Sequence, residues 1–293
     1  MEWLFFSVLA VAFWALSNVL DKHVISTHTK NPLIHLFITL ILGVIFSLIV
    51  FILVPIEVPS SYFLLIFFFF ALIQTTANYL FFKSILIDEV SRVIPILLLA
   101  PVFVAVMAAV FFNEILTANQ YTGIALILIG AFLISLKKTV KMELSKGVIL
   151  MGFATLLYAI TSILSEYFLN YMNYWTVFFW EKNLLLLPLI LVFTLKGKAI
   201  LKTVKELFKP VLLASSSESI AQAADLFFII ALSFGSVSIV SGTTNLQPVF
   251  VLIFAVILSI WKPQIIKEEI TKTTLIQKII AIILMITGTI LIS

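Results

Sequence analysis

The sequence predicts an all-α membrane protein with ten transmembrane helices, arranged as two inverted five-helix repeats. Three observations predict it. Of 293 residues, 62% are hydrophobic and 28 are Phe, more apolar surface than one soluble core can hide. All 18 Lys and Arg residues except Lys182 fall in every second gap between apolar runs, or at its margin. The second half also repeats the residue order of the first, with the sense of membrane crossing reversed.

A hydrocarbon core of roughly 30 Å needs about 20 apolar residues per helix. The first run, 3–20, follows Met1-Glu2 without the basic segment of a secretory signal, so it is expected to remain as a span. Run 33–54 is apolar throughout. Run 62–82 opens with Tyr62–Ala71, which lacks the alternation of a barrel strand, and then carries Gln74, Thr75 and Asn78. Run 93–112 holds Pro95 and Pro101, and 120–136 holds Gly123 and Gly130. The second set is 147–165, 174–195 with Glu181 and Lys182, 210–232 with Glu218 and Asp225, 238–260 with Pro248, and 275–292. Connections of about a dozen residues or fewer leave no room for a soluble or nucleotide-binding domain.

Charge sets the expected orientation. The gaps after runs one, three, five, seven and nine hold Lys22 and Lys30; Lys83 and Arg92; Lys137 to Lys146; Lys196 to Lys209; and Lys262 to Lys272, with Lys278 just inside the last run. The other side carries only Glu2, Glu57, Glu114 and Glu166. Short Lys/Arg-rich loops stay cytoplasmic, so both termini of this cell-membrane protein are expected outside. An isoelectric point of 9.2 then reflects membrane-flank charge that contacts lipid headgroups, and no nucleic-acid partner is expected.

The repeat is legible residue by residue. A shift of 147 positions sets Pro248-Val-Phe-Val251 on Pro101-Val-Phe-Val104 and Ala224-Asp225-Leu-Phe-Phe228 on Ala77-Asn78-Tyr-Leu-Phe81. A shift of 144 sets Tyr158-Ala-Ile-Thr-Ser-Ile-Leu164 on Trp14-Ala-Leu-Ser-Asn-Val-Leu20. Five spans per copy is odd, so the second copy enters from the opposite side. The expected division is 1–139 and 140–293. Inverted repeats of this kind mark secondary transporters that rock one half against the other around a midplane site.

Two five-span copies, a proline-marked fourth span, and Asn113-Glu114-Ile-Leu-Thr117 followed by Gln120, Gly123 and Gly130 resemble the EamA-type repeat of the drug/metabolite transporter superfamily. The resemblance covers essentially the whole chain. It implies a substrate cavity lined by the first, third and fourth helices of each copy, here spans one, three, four, six, eight and nine. Two features depart from the family pattern. Its members are usually drawn with both termini cytoplasmic, and Glu114 has no acidic counterpart in the second copy, where Trp261 stands.

Charges inside apolar runs cost about 2.5–3.5 kcal/mol each on insertion scales, so they single out candidate residues. Ser215, Glu218, Gln222 and Asp225 share one face of span eight, and Gln74, Thr75 and Asn78 form the equivalent uncharged stripe on span three. At 1.5 Å per residue, Lys182 and Asp225 lie roughly 12 and 10 Å below the same outer surface, close enough to pair. Glu218 lies about 10 Å deeper, with no basic residue at its level. It is therefore the candidate proton- or cation-coupling group. Glu181 is a further candidate for coupling or ion pairing, with a turn toward the outer interface as the alternative. Span nine opens with Ser236, Ser238 and Ser241 to Asn245, then Gln247-Pro248, where the proline frees a carbonyl one turn back. Asn245 and Gln247 are the stronger candidates there. Asn18 beside Ser17, and Ser162 beside Thr161, occupy equivalent places on spans one and six. Trp14, Tyr79, Tyr158 and Trp180 are candidate pocket aromatics.

Other chemistry is missing. The chain has no Cys, which removes thiolate metal sites and disulfides. His23, His28 and His35 lack metalloprotease spacing and are expected to be solvated near the first loop. No nucleophile elbow, P-loop or dinucleotide-binding glycine pattern occurs, so no cofactor, metal or enzymatic activity is expected. The expected function is secondary active transport of a small polar or amphipathic metabolite, cationic or zwitterionic, with proton coupling as one option. The alternatives are a flippase for a lipid or lipid-linked precursor and a non-transporting membrane scaffold subunit. The solute, the direction of transport and the oligomeric state are not encoded in any motif.

Overall fold

The computed structural model describes residues 2–25, 31–87, 93, 96–97, 99–111, 115–135, 146–247, 249–251, 253–254, 257 and 272–292. Those residues form helices joined by short turns, with no strand among them. In chain order these are α1 (Glu2–Val24), α2 (Pro32–Leu53), α3 (Ser61–Ile87), α4 (Ala100–Phe111), α5 (Ala118–Ser135), α6 (Lys146–Leu169), α7 (Tyr174–Asn183), α8 (Leu186–Glu206), α9 (Phe208–Phe234), α10 (Val237–Thr243), a 3-10 turn (Thr244–Leu246) and α11 (Lys272–Ile292). Among the described residues, 6 segments are long and apolar enough to cross a membrane, not the ten expected: α1, α2, α3, α6, α7 with α8, and α9. The other four predicted runs are represented by α4, α5, α10 with its 3-10 turn, and α11. Large apolar side chains such as Phe5, Ile52, Val110, Leu195 and Ile290 stand exposed on the outside. A surface like this is stable only against hydrocarbon. The protein is a multi-pass membrane protein.

Helix ends follow from local chemistry. Asn31 caps α2 by accepting from Leu33 N at 3.0 Å, with Pro32 in the first turn where its missing N–H costs nothing. Asn173 caps α7 from Thr176 N at 3.0 Å. The Glu166 carboxylate, at the end of α6, accepts from Val237 N at 2.7 Å and so places negative charge at the start of α10. At the same end of the bundle, Trp180 Nε1 donates to the Glu57 carbonyl at 3.0 Å. These junctions lie on the side whose loops carry acids and no Lys.

Two sequence expectations need correction. Run 174–195 is not one helix: α7 stops at Asn183 and α8 starts at Leu186. Pro188 has no N–H for the Leu184 carbonyl and its ring crowds that group, so Leu187 N closes a tighter turn on Leu184 O at 3.2 Å. The helix then continues to Glu206, putting Lys196, Lys198, Lys202 and Lys205 on a helix where a loop was expected. His35 is also not solvated; it is fully buried in α2 beside the Phe82 ring, 5.5 Å between centroids. Asn113, Glu114, Pro95, Pro248, Trp261, His28 and the expected division at 139/140 lie outside the described residues.

Helices pair in a fixed set. α1 packs on α9, α3 on α6, α5 on α11, and α2 on both α7 and α8; α4 contacts α6, and α10 contacts α1 and α4. Phe67 of α3 stacks on Phe168 of α6, both fully buried, with ring centroids 3.7 Å apart. Truncating either to Ala costs about 3–5 kcal/mol by cavity arguments. The α5–α11 contact is backbone to backbone. A Cβ on Gly130 would sit 2.6 Å from the Ala281 carbonyl, and one on Gly288 would sit 2.5 Å from the Gly123 carbonyl. Small residues at such crossings let membrane helices gain dispersion contact that lipid cannot supply.

Candidate functional site

A cavity of about 270 Å³ opens where α1, α2, α3, α6, α7, α9 and α10 meet. It is near the lower end of the range for small-molecule sites, roughly 300–1,000 Å³. From α9 come Glu218, Gln222, Asp225 and Phe228; from α3, Gln74, Asn78 and Phe81; from α1, Trp14, Ser17, Asn18 and Asp21. α6 adds Tyr158, Thr161, Ser162 and Ser165, α7 adds Glu181 and Lys182, α2 adds Thr39, and α10 with the turn after it adds Ser241, Thr244 and Gln247.

Each wall carries a helical repeat. Phe70, Gln74, Asn78 and Phe81 recur at three to four residues on α3, and Glu218, Gln222, Asp225 and Phe228 do so on α9. Thr75 lies one residue off that face and does not line the cavity. Asn245 is likewise absent from the wall and 1% exposed, because Ser241, Thr244 and Gln247 hold the cavity-facing positions three residues apart. Ser215 turns back to its own helix and donates to the Val211 carbonyl at 2.9 Å.

Polar contacts divide the cavity into two ends. At one end Lys182 of α7 and Asp225 of α9 form an ion pair, and Trp14 Nε1 donates to the other Asp225 oxygen at 2.8 Å. Of the two alternatives for Glu181, the structure places it in the cavity wall and not at the interface: it is 3% exposed and accepts from Ser165 Oγ at 2.6 Å. Across the cavity Tyr158 OH donates to Asn78 Oδ1 at 2.9 Å. At the other end lie Asp21 and Glu218, both buried, with Ser17, Ser217 and Thr39 about them. Ser17 Oγ lies 3.3 Å from Asp21 Oδ2 and 3.0 Å from Ser217 Oγ. Among the described residues no group of three or more His, Cys, Asp or Glu side chains could hold a metal ion.

Comparison with known proteins agrees with this architecture. Residues 1–136 match the EamA-like transporter family. The likeness covers the first part of the chain. EamA-like proteins lie in the drug/metabolite transporter superfamily, which indicates a membrane transporter. A solved crystal structure of a protein is similar in fold, with a TM-score of 0.66 and 12% identity, covering 98% of this chain and 94% of the other. No curated protein matches.

The charged residue that the sequence reading missed is Asp21. It follows the first apolar run and precedes Lys22, so it reads as a loop charge. α1 instead continues to Val24 and carries Asp21 into the bundle at 5% exposure. Its spacing from Ser17, one helical turn, was the available signal. Thr39 and Ser165 were also missed; a lone hydroxyl in an apolar run carries little signal, because such groups commonly back-bond their own helix. Both do, at 3.0 Å each.

Proposed function

We propose that the chain is a ten-span carrier built from two inverted halves, and that a small cationic or zwitterionic solute binds in the cavity between them. One observation carries the reading. Trp14 donates to Asp225 and Tyr158 donates to Asn78. In the repeat, Trp14 aligns with Tyr158 and Asn78 with Asp225. The two bonds are therefore the same contact made twice, once from each half to the other, on opposite walls of one cavity. The helix pairs support it: α1 on α9 and α3 on α6 exchange under the repeat, as do α10 on α1 and α4 on α6. α5 on α11 exchanges with itself.

A pocket placed between repeats is what alternating access requires. The break between α7 and α8 falls next to Lys182, where interrupted helices in carriers hold their ligands. Lining charge favours a cation: Asp21, Glu181, Glu218 and Asp225 stand against Lys182. Glu218 is the candidate coupling carboxylate, facing Asp21 from α1 and Thr39 from α2, with the Asp225–Lys182 pair farther along the cavity. The basic ends of the spans are assigned to the cytoplasm. A scaffold subunit would be expected to fill its midplane, and the cavity argues against that alternative.

The test is uptake by purified protein in proteoliposomes, screening radiolabelled amines, amino acids and nucleosides with and without an imposed proton gradient. Saturable accumulation of one class, lost on Glu218→Gln or Asp225→Asn, supports the reading. Wild-type vesicles that accumulate none of them above protein-free controls would remove it.

A further inference from the structure

We propose that Asp21 and Glu218 form an acceptor-only nest that takes the primary ammonium group of an amine solute. The inference rests on the transporter reading for why an amine would be there, but the nest itself is a binding site that can be tested without transport.

The argument is an account of hydrogens. Ser217 Oγ donates to the Ser17 carbonyl at 2.9 Å. Ser17 Oγ has one hydrogen, divided between Asp21 Oδ2 and Ser217 Oγ. Thr39 Oγ1 has one hydrogen, divided between the His35 carbonyl at 3.0 Å and the Glu218 carboxyl beside it. The hydroxyls around the two carboxyls are thus committed as donors. What they leave for a guest is oxygen lone pairs. Asp21 Oδ1 is buried with no partner. One turn beyond Glu218, the Gln222 amide oxygen is also buried with no partner, in a side chain 1% exposed that lines the same cavity. Lys182, the one cation among the lining residues, is engaged by Asp225 at the far end.

A buried acceptor without a donor costs about 1–3 kcal/mol, more if charged, so a cluster of them calls for a guest with several donors and positive charge. A primary ammonium has three N–H donors and matches such a nest. Sodium sites within membrane helices draw on carbonyls freed where a helix unwinds. Here α1 and α9 run unbroken past this level, so their carbonyls are committed. The organic part of the guest has an aromatic wall to meet in Phe81, Phe82 and Phe228. An ammonium and a proton neutralise the same carboxyls, so this site and proton coupling share residues while differing in readout.

The experiment measures binding to the full-length protein in detergent by isothermal titration at neutral pH, using n-butylammonium as probe. Tetramethylammonium, with the same charge but no N–H, n-butanol and sodium serve as comparisons. Saturable n-butylammonium binding is expected, with each comparison weaker on the order of tenfold to a hundredfold, the worth of one charge-assisted hydrogen bond. Asp21→Asn and Glu218→Gln should each weaken it by a similar factor, and Asp21→Glu should recover part of the loss. Absence of saturable binding to the wild type overturns the proposal, as does equal or tighter binding of tetramethylammonium or sodium. These comparisons need no variant, so they stand even where Asp21→Asn fails to fold. Unchanged affinity in both variants likewise overturns it. Binding without uptake of any amine would leave the nest in place and count against the transporter reading; uptake of amines without butylammonium binding would do the reverse.

Discussion

Replacing Lys182 with Met removes one partner of an ion pair whose members differ in exposure, 7% for the Lys182 side chain and 25% for Asp225. Breaking a fully buried pair costs about 3–5 kcal/mol, because the remaining charge stays desolvated. Asp225 keeps the Trp14 hydrogen bond and a quarter of its exposure, which offsets part of that. The expected loss is about 2–3 kcal/mol, or a fall of about 3–5 °C in melting temperature at this chain length. Lys182→Met/Asp225→Leu leaves neither charge behind and should recover most of the loss, giving a coupling of at least about 2 kcal/mol in a double-mutant cycle. Thermal melting in a mild detergent, read by Trp fluorescence and by retention on size exclusion, measures all four proteins. Additive single effects, with coupling below about 0.5 kcal/mol, would show that the pair does not join α7 to α9 energetically.

Glu218→Gln keeps the side-chain volume and removes the charge, so proton-gradient-driven uptake should lose its dependence on external pH while the protein stays folded; an unaltered pH profile excludes Glu218 from coupling. Gly130→Val and Gly288→Val push a side chain into backbone oxygens at 2.6 and 2.5 Å, and each should destabilise by about 1–3 kcal/mol or more. Gly152→Ala meets nothing within 4 Å and should be neutral or stabilising by up to about 1 kcal/mol; equal loss of stability at all three positions would discard the close-contact account of α5 and α11. The chain contains no Cys, so single Cys residues at Ser60 and Lys198 can be labelled with a membrane-impermeant maleimide. Labelling of intact cells at Ser60 but not at Lys198 is expected from the basic-side-inward orientation, and the reverse pattern would invert the topology.

Much of the site was legible without coordinates. The stripe Glu218, Gln222 and Asp225 was visible because helical spacing brings residues three and four apart onto one face. Its counterpart on span three was visible for the same reason, apart from Thr75, which lies off that face. Lys182 and Asp225 could be matched by depth alone. Asp21 could not. Beside Lys22 it has the local signature of a loop, and its place in the cavity depends on α1 running a further turn against α9.

What the amino-acid order determines here is what adds up residue by residue: the apolar runs, the alternation of Lys-rich and Lys-free ends, and the copy of one half in the other. Transfer free energies and loop charges act locally, so they can be summed along a chain. Tertiary structure alone decided that Ser17 meets Ser217, that Trp14 reaches Asp225 while Tyr158 reaches Asn78, and that two carboxyls about 200 positions apart share one oxygen-lined end of a cavity. Those contacts depend on which helix faces pack and at what height, a choice made collectively by shape at crossings such as Phe67 on Phe168.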